Sequence, residues 1–255
     1  MIGHNPARLG IRRVNSNIWT PEGMSGLINW LPLGEGAASA VQLIPDLVTT
    51  AGATYRGATV AVEATDPTWT AEGLSFDGGD YCNMDATGPL FGAVDGVGTV
   101  VICAAASPIV ALDQMYVEGN SAANTPMILF GVWPNGAIRI YRRLDGGGLV
   151  TLDSTNIGYD DSAWRTYGFT MEVAANYEIF INGVSASATA TNPGLVTVDT
   201  VSLGAWRQIT VLQEFTGSMA YVLRFDRVLA DSEIATVHNY IRARVAGRGI
   251  TLPAA

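Results

Sequence analysis

Residues 214–244 read EFTGSMAYVLRFDRVLADSEIATVHNYIRAR, and the order of patterns inside them decides the fold. Met219, Tyr221, Leu223 and Phe225 alternate with Ala220, Val222, Arg224 and Asp226. Period-two spacing predicts a strand with one set on a core face and the other set opposite. After Asp226-Arg227 the apolar positions change to Ile234, Val237, Ile241 and Val245, which is a helical stripe. Asp231 or Ser232 is placed to cap that helix, and Glu233 suits its first turn.

Upstream, the same period-two signal recurs between turn residues. Gly26 to Gly34, with Trp30 inside it, is the first strong strand, whereas Asp46 to Gly57 reads as loop. Leu74-Ser75-Phe76 and Tyr81 flank Asp77-Gly78-Gly79-Asp80, a tight turn needing a positive-φ residue. Gly98 to Ala106 is continuously apolar, as in a strand buried on both faces. Met127–Val132 and Ala137–Arg142 predict a hairpin around Trp133-Pro134-Asn135-Gly136. Tyr167, Phe169, Met171 and Val173 point inward on the next strand, and Tyr177, Ile179 and Ile181 form its return, closed by Asn182-Gly183. Val201 to Gly204 then leads into a loop at Trp206. Trp30 and Trp164 are core residues by preference.

Four of these stretches, in this order, resemble laminin-G-like domains of the concanavalin-A-like lectin/glucanase jelly roll. They are Gly26-Leu27-x-x-Trp30-x-x-Leu33, Leu74-x-Phe76-Asp77-Gly78-x-x-Asp80-Tyr81, the Trp164 strand leading to Tyr177-x-Ile179-Phe180-Ile181-Asn182-Gly183, and the closing Phe215-Thr216-Gly217 strand with its helix. The resemblance covers roughly residues 26–244. It implies an all-β, two-sheet antiparallel sandwich over 26–255 with a short C-terminal helix at about 231–245. Residues 1–25 are left as an arm.

Composition agrees with one such domain. Of the 255 residues, 48% are hydrophobic and 15% charged, which excludes a disordered chain. A net charge of −9 argues against nucleic acid or an anionic membrane as the main partner. All 14 basic residues are arginines. No apolar run reaches the roughly 18–20 residues of a membrane span, and the first 18 residues lack a signal-peptide pattern. Cys82 and Cys103 are too few for a disulfide framework and match no zinc spacing; buried thiols are favoured, with a single bridge left open.

Catalysis is poorly served. A glycosidase needs two carboxylates across a sugar, and no Glu-x-Asp-x-x-Glu cluster occurs. Glu172 and Glu178 face outward across a hairpin. His4 lies in the arm, and His238 sits beside the helical stripe as a structural residue, so a Ser-His-acid or metal-histidine site is unsupported. Asp145-Gly146-Gly147-Gly148 lacks the rest of a phosphate loop. The chain reads as non-catalytic.

Carbohydrate binding is the function most natural to the resembled fold. Sugars stack on aromatic faces while polar side chains bond their hydroxyls. The candidates are Trp206-Arg207, Tyr159-Asp160-Asp161, and Trp133 beside Asn135. Many laminin-G-like domains also hold calcium with loop acids. Glu35, Asp46, Asp77 and Asp80 are the candidates here, although Ala220-Tyr221 stands where relatives often carry an acidic pair. The resemblance further implies a bacteriophage virion protein, a head-decoration, fibre or tail component made in the host cytoplasm. Its arm, with Arg8, Arg12 and Arg13, would dock on other virion proteins or on copies of itself as a homo-oligomer. A secreted bacterial lectin exported by a signal-independent route is the alternative setting.

Overall fold

The computed structural model describes residues 23–35, 43–49, 52–56, 66–92, 96–109, 111–172, 176–190, 197–207 and 211–255. The strands are β1 (Leu27–Pro32), β2 (Leu43–Ile44), β3 (Ala53–Arg56), β4 (Thr68–Trp69), β5 (Leu74–Asp77) and β6 (Tyr81–Asn83). There follow β7 (Gly98–Ala106), β8 (Asp113–Asn120), β9 (Ala123–Val132), β10 (Ile138–Arg143), β11 (Leu149–Asp153) and β12 (Arg165–Met171). The last are β13 (Asn176–Ile181), β14 (Val184–Ala190), β15 (Thr200–Leu203), β16 (Trp206–Arg207), β17 (Val211–Leu212) and β18 (Thr216–Phe225), before the helix α1 (Asp231–Ala246).

The first sheet runs β14-β13-β12-β7-β18-β5-β4, with β1 also paired to β18; the second runs β11-β10-β9-β8-β15-β6-β3-β2. Every pairing is antiparallel. β16 and β17 pair as a third, two-stranded sheet. This is the expected two-sheet sandwich. The stretch read as loop from Asp46 contains β3, which pairs with β6. Four residues are too short a run for alternation to declare itself.

The sheets meet face to face over one apolar layer. Leu74, Phe76, Val100, Ile102, Phe169 and Val222 face it from the first sheet, and Tyr116, Ile128, Phe130, Ile138 and Ile140 from the second. A second apolar layer lies behind the first sheet, where Trp30, Val101, Cys103, Tyr221, Leu223 and Phe225 pack against Ile234, Val237, Ile241 and Val245 of α1. Trp30 meets Tyr240 edge-on at 5.6 Å, so its core assignment holds. Trp164 packs at the margin of this layer.

β7 and β18 are therefore buried on both faces. A bulge between Met219 and Tyr221 puts Met219 on the inter-sheet face with Val222, while Tyr221, Leu223 and Phe225 face the helix. It also turns Arg224 inward, where it is completely buried. Its Nη1 donates to Asn29 Oδ1 (2.9 Å) and Thr87 Oγ1 (2.6 Å), and its Nη2 to the Gly88 carbonyl (2.7 Å). Glu118 of the opposite sheet lies 3.6 Å away, equally buried. Glu118 accepts from Leu90 N (2.7 Å), Phe91 N (2.8 Å) and the Tyr116 hydroxyl (2.6 Å). Burial pushes its carboxyl up, while the Arg224 guanidinium and these donors pull it back. Every partner donates to Glu118, so the site is built for its carboxylate form.

The helix starts differently from expectation. Its N-cap is Ala230, not Asp231 or Ser232, and no N-cap side chain contributes. Instead Glu233 reaches back to accept from Ala230 N at 2.9 Å, one half of a capping box. His238 is fully buried. Its Nε2 lies 3.0 Å from the Pro253 carbonyl, which can only accept, so that nitrogen carries the proton. Nδ1 is then the acceptor for the Thr166 hydroxyl at 2.7 Å. Burial lowers the imidazole pKa, as a structural histidine requires. α1 sits close on the Asn182-Gly183 turn: a Cβ on Gly183 (φ +81°) would fall 2.9 Å from that of His238.

Cys82 lies in the inter-sheet layer and Cys103 in the layer beneath the helix. Both are buried free thiols, pushed up by burial, and the single bridge left open by the sequence does not form.

Candidate functional site

The outer face of the second sheet carries the chemistry. On β10, Ile138 and Ile140 face the core, so Arg139, Tyr141 and Arg143 face outward. On β8 and β9 the outward residues Val117, Met127 and Leu129 form a small apolar floor, against which Tyr141 and Trp206 pack. Trp133, just after β9, stacks on Tyr141 with ring centroids 6.0 Å apart and planes 19° from parallel. The Arg139 guanidinium covers the Trp133 ring at 4.2 Å and is fixed by Asp153 on β11. A cavity of about 200 Å³ opens here, lined by Leu112, Met127, Leu129, Trp133, Tyr141, Arg143, Trp206 and Gln213.

Two candidates far apart in sequence, Trp133 and Trp206, thus share one cavity. Gln213 lines it with a left-handed backbone (φ 56°), and its Oε1 accepts from Gln114 Nε2 at 3.3 Å. Asn135 is exposed; its Oδ1 accepts from Ala137 N (3.0 Å) and closes the turn after Trp133. Tyr159 and Asp160 lie against that turn, because Tyr159 N donates to the Gly136 carbonyl at 3.0 Å. Gly136 (φ +74°) permits the approach: a Cβ there would fall 2.7 Å from Asp160 Oδ1.

The other candidates are occupied. Asp161 pairs with Arg165 at 2.5 and 2.8 Å, which holds its carboxyl well below the usual range. Arg165 also covers the Tyr159 ring at 5.3 Å. Arg207 is turned away from the cavity, bound to both oxygens of Asp85 at 2.9 Å and set over Tyr81. Sequence reasoning missed Tyr141, Arg143 and Gln213. The first two were signalled by the alternation of β10; Gln213 had no signal.

The four candidate calcium ligands are not gathered, and the described residues contain no group of three or more metal-ligating side chains. Asp46 closes a loop on β1, accepting from Asn29 Nδ2 (2.7 Å), Trp30 N (2.9 Å), Val48 N (3.0 Å) and Thr49 Oγ1 (2.6 Å). Glu35 pairs with Arg244 at 3.0 Å beside a larger cleft of about 490 Å³. The described residues lining that cleft include no aromatic, and its Arg248 donates to the Leu33 carbonyl at 2.6 Å. Asp80 accepts from Asp77 N at 2.9 Å and so closes the β5–β6 turn. Arg8, Arg12 and Arg13 of the arm lie outside the described residues.

Burial, reinforced by the Asp77 carboxylate, raises the Asp80 carboxyl to about 6. A raised acid pKa means the folded state keeps a proton that the unfolded state has lost between pH 4 and 6. The contribution is therefore full below about pH 4 and declines as pH rises through 6. The Asp80→Asn variant should gain about 2 kcal/mol relative to wild type between pH 4.5 and 7.5, read from urea midpoints. A stability difference that does not change with pH contradicts this.

No family model matches the chain, and no curated protein matches it. Solved structures do. The CBM40 module of the Ruminococcus gnavus IT-sialidase, bound to α2,3 sialyllactose, is 24% identical with a TM-score of 0.50, covering 57% of this chain and 83% of the module. Domain 4 of AbnA, a GH43 extracellular arabinanase of Geobacillus stearothermophilus in complex with arabinotriose, is 14% identical with a TM-score of 0.59, over 84% and 98%. The binding domain of Paraclostridial Mosquitocidal Protein 1 is 10% identical with a TM-score of 0.59, over 85% of this chain and 52% of that one. At these identities the likeness speaks for architecture alone, and the chain has a two-sheet antiparallel jelly-roll β-sandwich fold.

Proposed function

We propose that this chain is a non-catalytic carbohydrate-binding module whose sugar stacks in the cavity between Trp133, Tyr141 and Trp206. The observation that carries the reading is the cavity itself. Three aromatic side chains from separate segments surround an apolar floor on the sheet's outer face, and each keeps part of its surface exposed. Two of the similar domains were captured with saccharides, sialyllactose and arabinotriose. Hydrolysis needs two opposed carboxylates, and the described residues lining the cavity include neither Asp nor Glu.

Glycan-array screening followed by titration tests this. Trp133→Ala should weaken binding of the selected glycan by about thirtyfold, the cost of truncating an aromatic anchor of about 2 kcal/mol. The melting temperature should change little, because Trp133 is only half-buried. Undiminished binding by Trp133→Ala and by Trp206→Ala contradicts the proposal.

A further inference from the structure

We infer that the sugar taken by this cavity bears a carboxylate, held by Arg143; the inference rests on the carbohydrate-binding reading above. Strand register decides which arginine of β10 is free. Arg139 stands opposite Asp153 on β11, and its Nη2 donates to that carboxylate at 2.6 Å. Arg143 stands opposite Leu149 on β11 and Met127 on β9, neither of them an acid. The nearest acid along the chain, Asp145, is turned to Thr197, accepting from its N (3.0 Å) and Oγ1 (2.8 Å).

Arg143 consequently has no hydrogen-bond or ion-pair partner among the described side chains. Its neighbours in kind differ: Arg139, Arg142, Arg165, Arg207, Arg224, Arg227, Arg242, Arg244 and Arg248 each donate to a defined acceptor. An unpaired guanidinium on the wall of an aromatic cavity is the complement of a planar anion, which it binds through two parallel hydrogen bonds. The setting sharpens the choice. The chain carries a net charge of −9, so its overall field repels anions and only a local cation can select one.

Size narrows the ligand further. At about 200 Å³ the cavity is smaller than the roughly 300–1,000 Å³ of drug-sized sites, so it holds one ring rather than a chain. A single acidic pyranose, stacked on the aromatic faces with its carboxylate toward Arg143, fits that description. Gln213, a lining residue held by Gln114, adds an amide for the hydroxyls.

The test is an array of neutral, sulfated, uronate-bearing and sialate-bearing glycans, followed by fluorescence titration of the best binder. The bound glycans should carry carboxylates, and their affinity should fall as salt rises. Arg143→Gln should weaken binding by about tenfold to a hundredfold, with an unchanged melting temperature. Arg143→Lys should recover part of the loss, because charge returns without the planar fork. A preference for neutral or only sulfated glycans, or full affinity in Arg143→Gln, overturns this inference while leaving sugar binding at Trp133 intact. Absence of any glycan binding, or binding insensitive to Trp133→Ala, overturns the carbohydrate reading and this inference together.

Discussion

Arg224→Met should destabilise the fold by about 3–5 kcal/mol, more than a surface arginine could account for. The guanidinium it removes is completely buried and joins three segments: Asn29 on β1, the Thr87-Gly88 turn, and Glu118 of the facing sheet. Without it, Glu118 keeps its hydrogen bonds from Leu90, Phe91 and Tyr116 but loses the buried cation that opposes its desolvation. The unpaired charge, more than the missing contacts, sets the cost. Adding Glu118→Gln to Arg224→Met should therefore cost much less than the sum of the two single variants. Urea unfolding of the single and double variants measures both quantities. Single variants within about 1 kcal/mol of wild type would mean that the pair is solvated or dispensable.

The other large effect lies in the inter-sheet layer. Phe169 of β12 is fully buried, with its ring centroid 4.7 Å from that of Phe130, 5.5 Å from Phe91 and 6.0 Å from Tyr116. Tyr116 and Phe130 belong to the facing sheet, so Phe169 is the wedge between the two. Phe169→Ala removes a ring that the rigid strands on either side cannot move in to replace. The expected loss is about 3–5 kcal/mol, a drop of roughly 10 °C in melting temperature at this chain length. A loss below about 1.5 kcal/mol would show that the layer relaxes into the space.

Much of this architecture could be read before any coordinates. Continuous apolarity over Gly98–Ala106 announced a strand buried on both faces, and β7 is one. The helix after Leu229 followed from a change of period, and Asn182-Gly183 from its turn chemistry. What escaped has physical reasons. An arginine in an alternating strand reads as solvent-facing, and only the bulge after Met219 turns Arg224 inward. Its partners lie far away in sequence and carry no local signature.

The candidate site was half legible. Trp133 and Trp206 stood out as loop aromatics with polar neighbours, and the fold brings them to one cavity. Arg143 did not stand out, because its significance is the absence of an opposing acid, which depends on the register of β10 against β11. Asp46 and Asp80 drew notice as loop acids. Each proves to close its own loop through backbone amides, a task that sequence alone does not distinguish from metal binding.

Sugar binding in this cavity can be followed by titrating the wild-type chain with an array-selected acidic oligosaccharide and recording its tryptophan indole N–H resonances. Binding in this cavity requires saturable shifts at Trp133 and Trp206, with the indoles of Trp30 and Trp164 unmoved. Shifts confined to other tryptophans, or no saturation with any glycan tried, would contradict it.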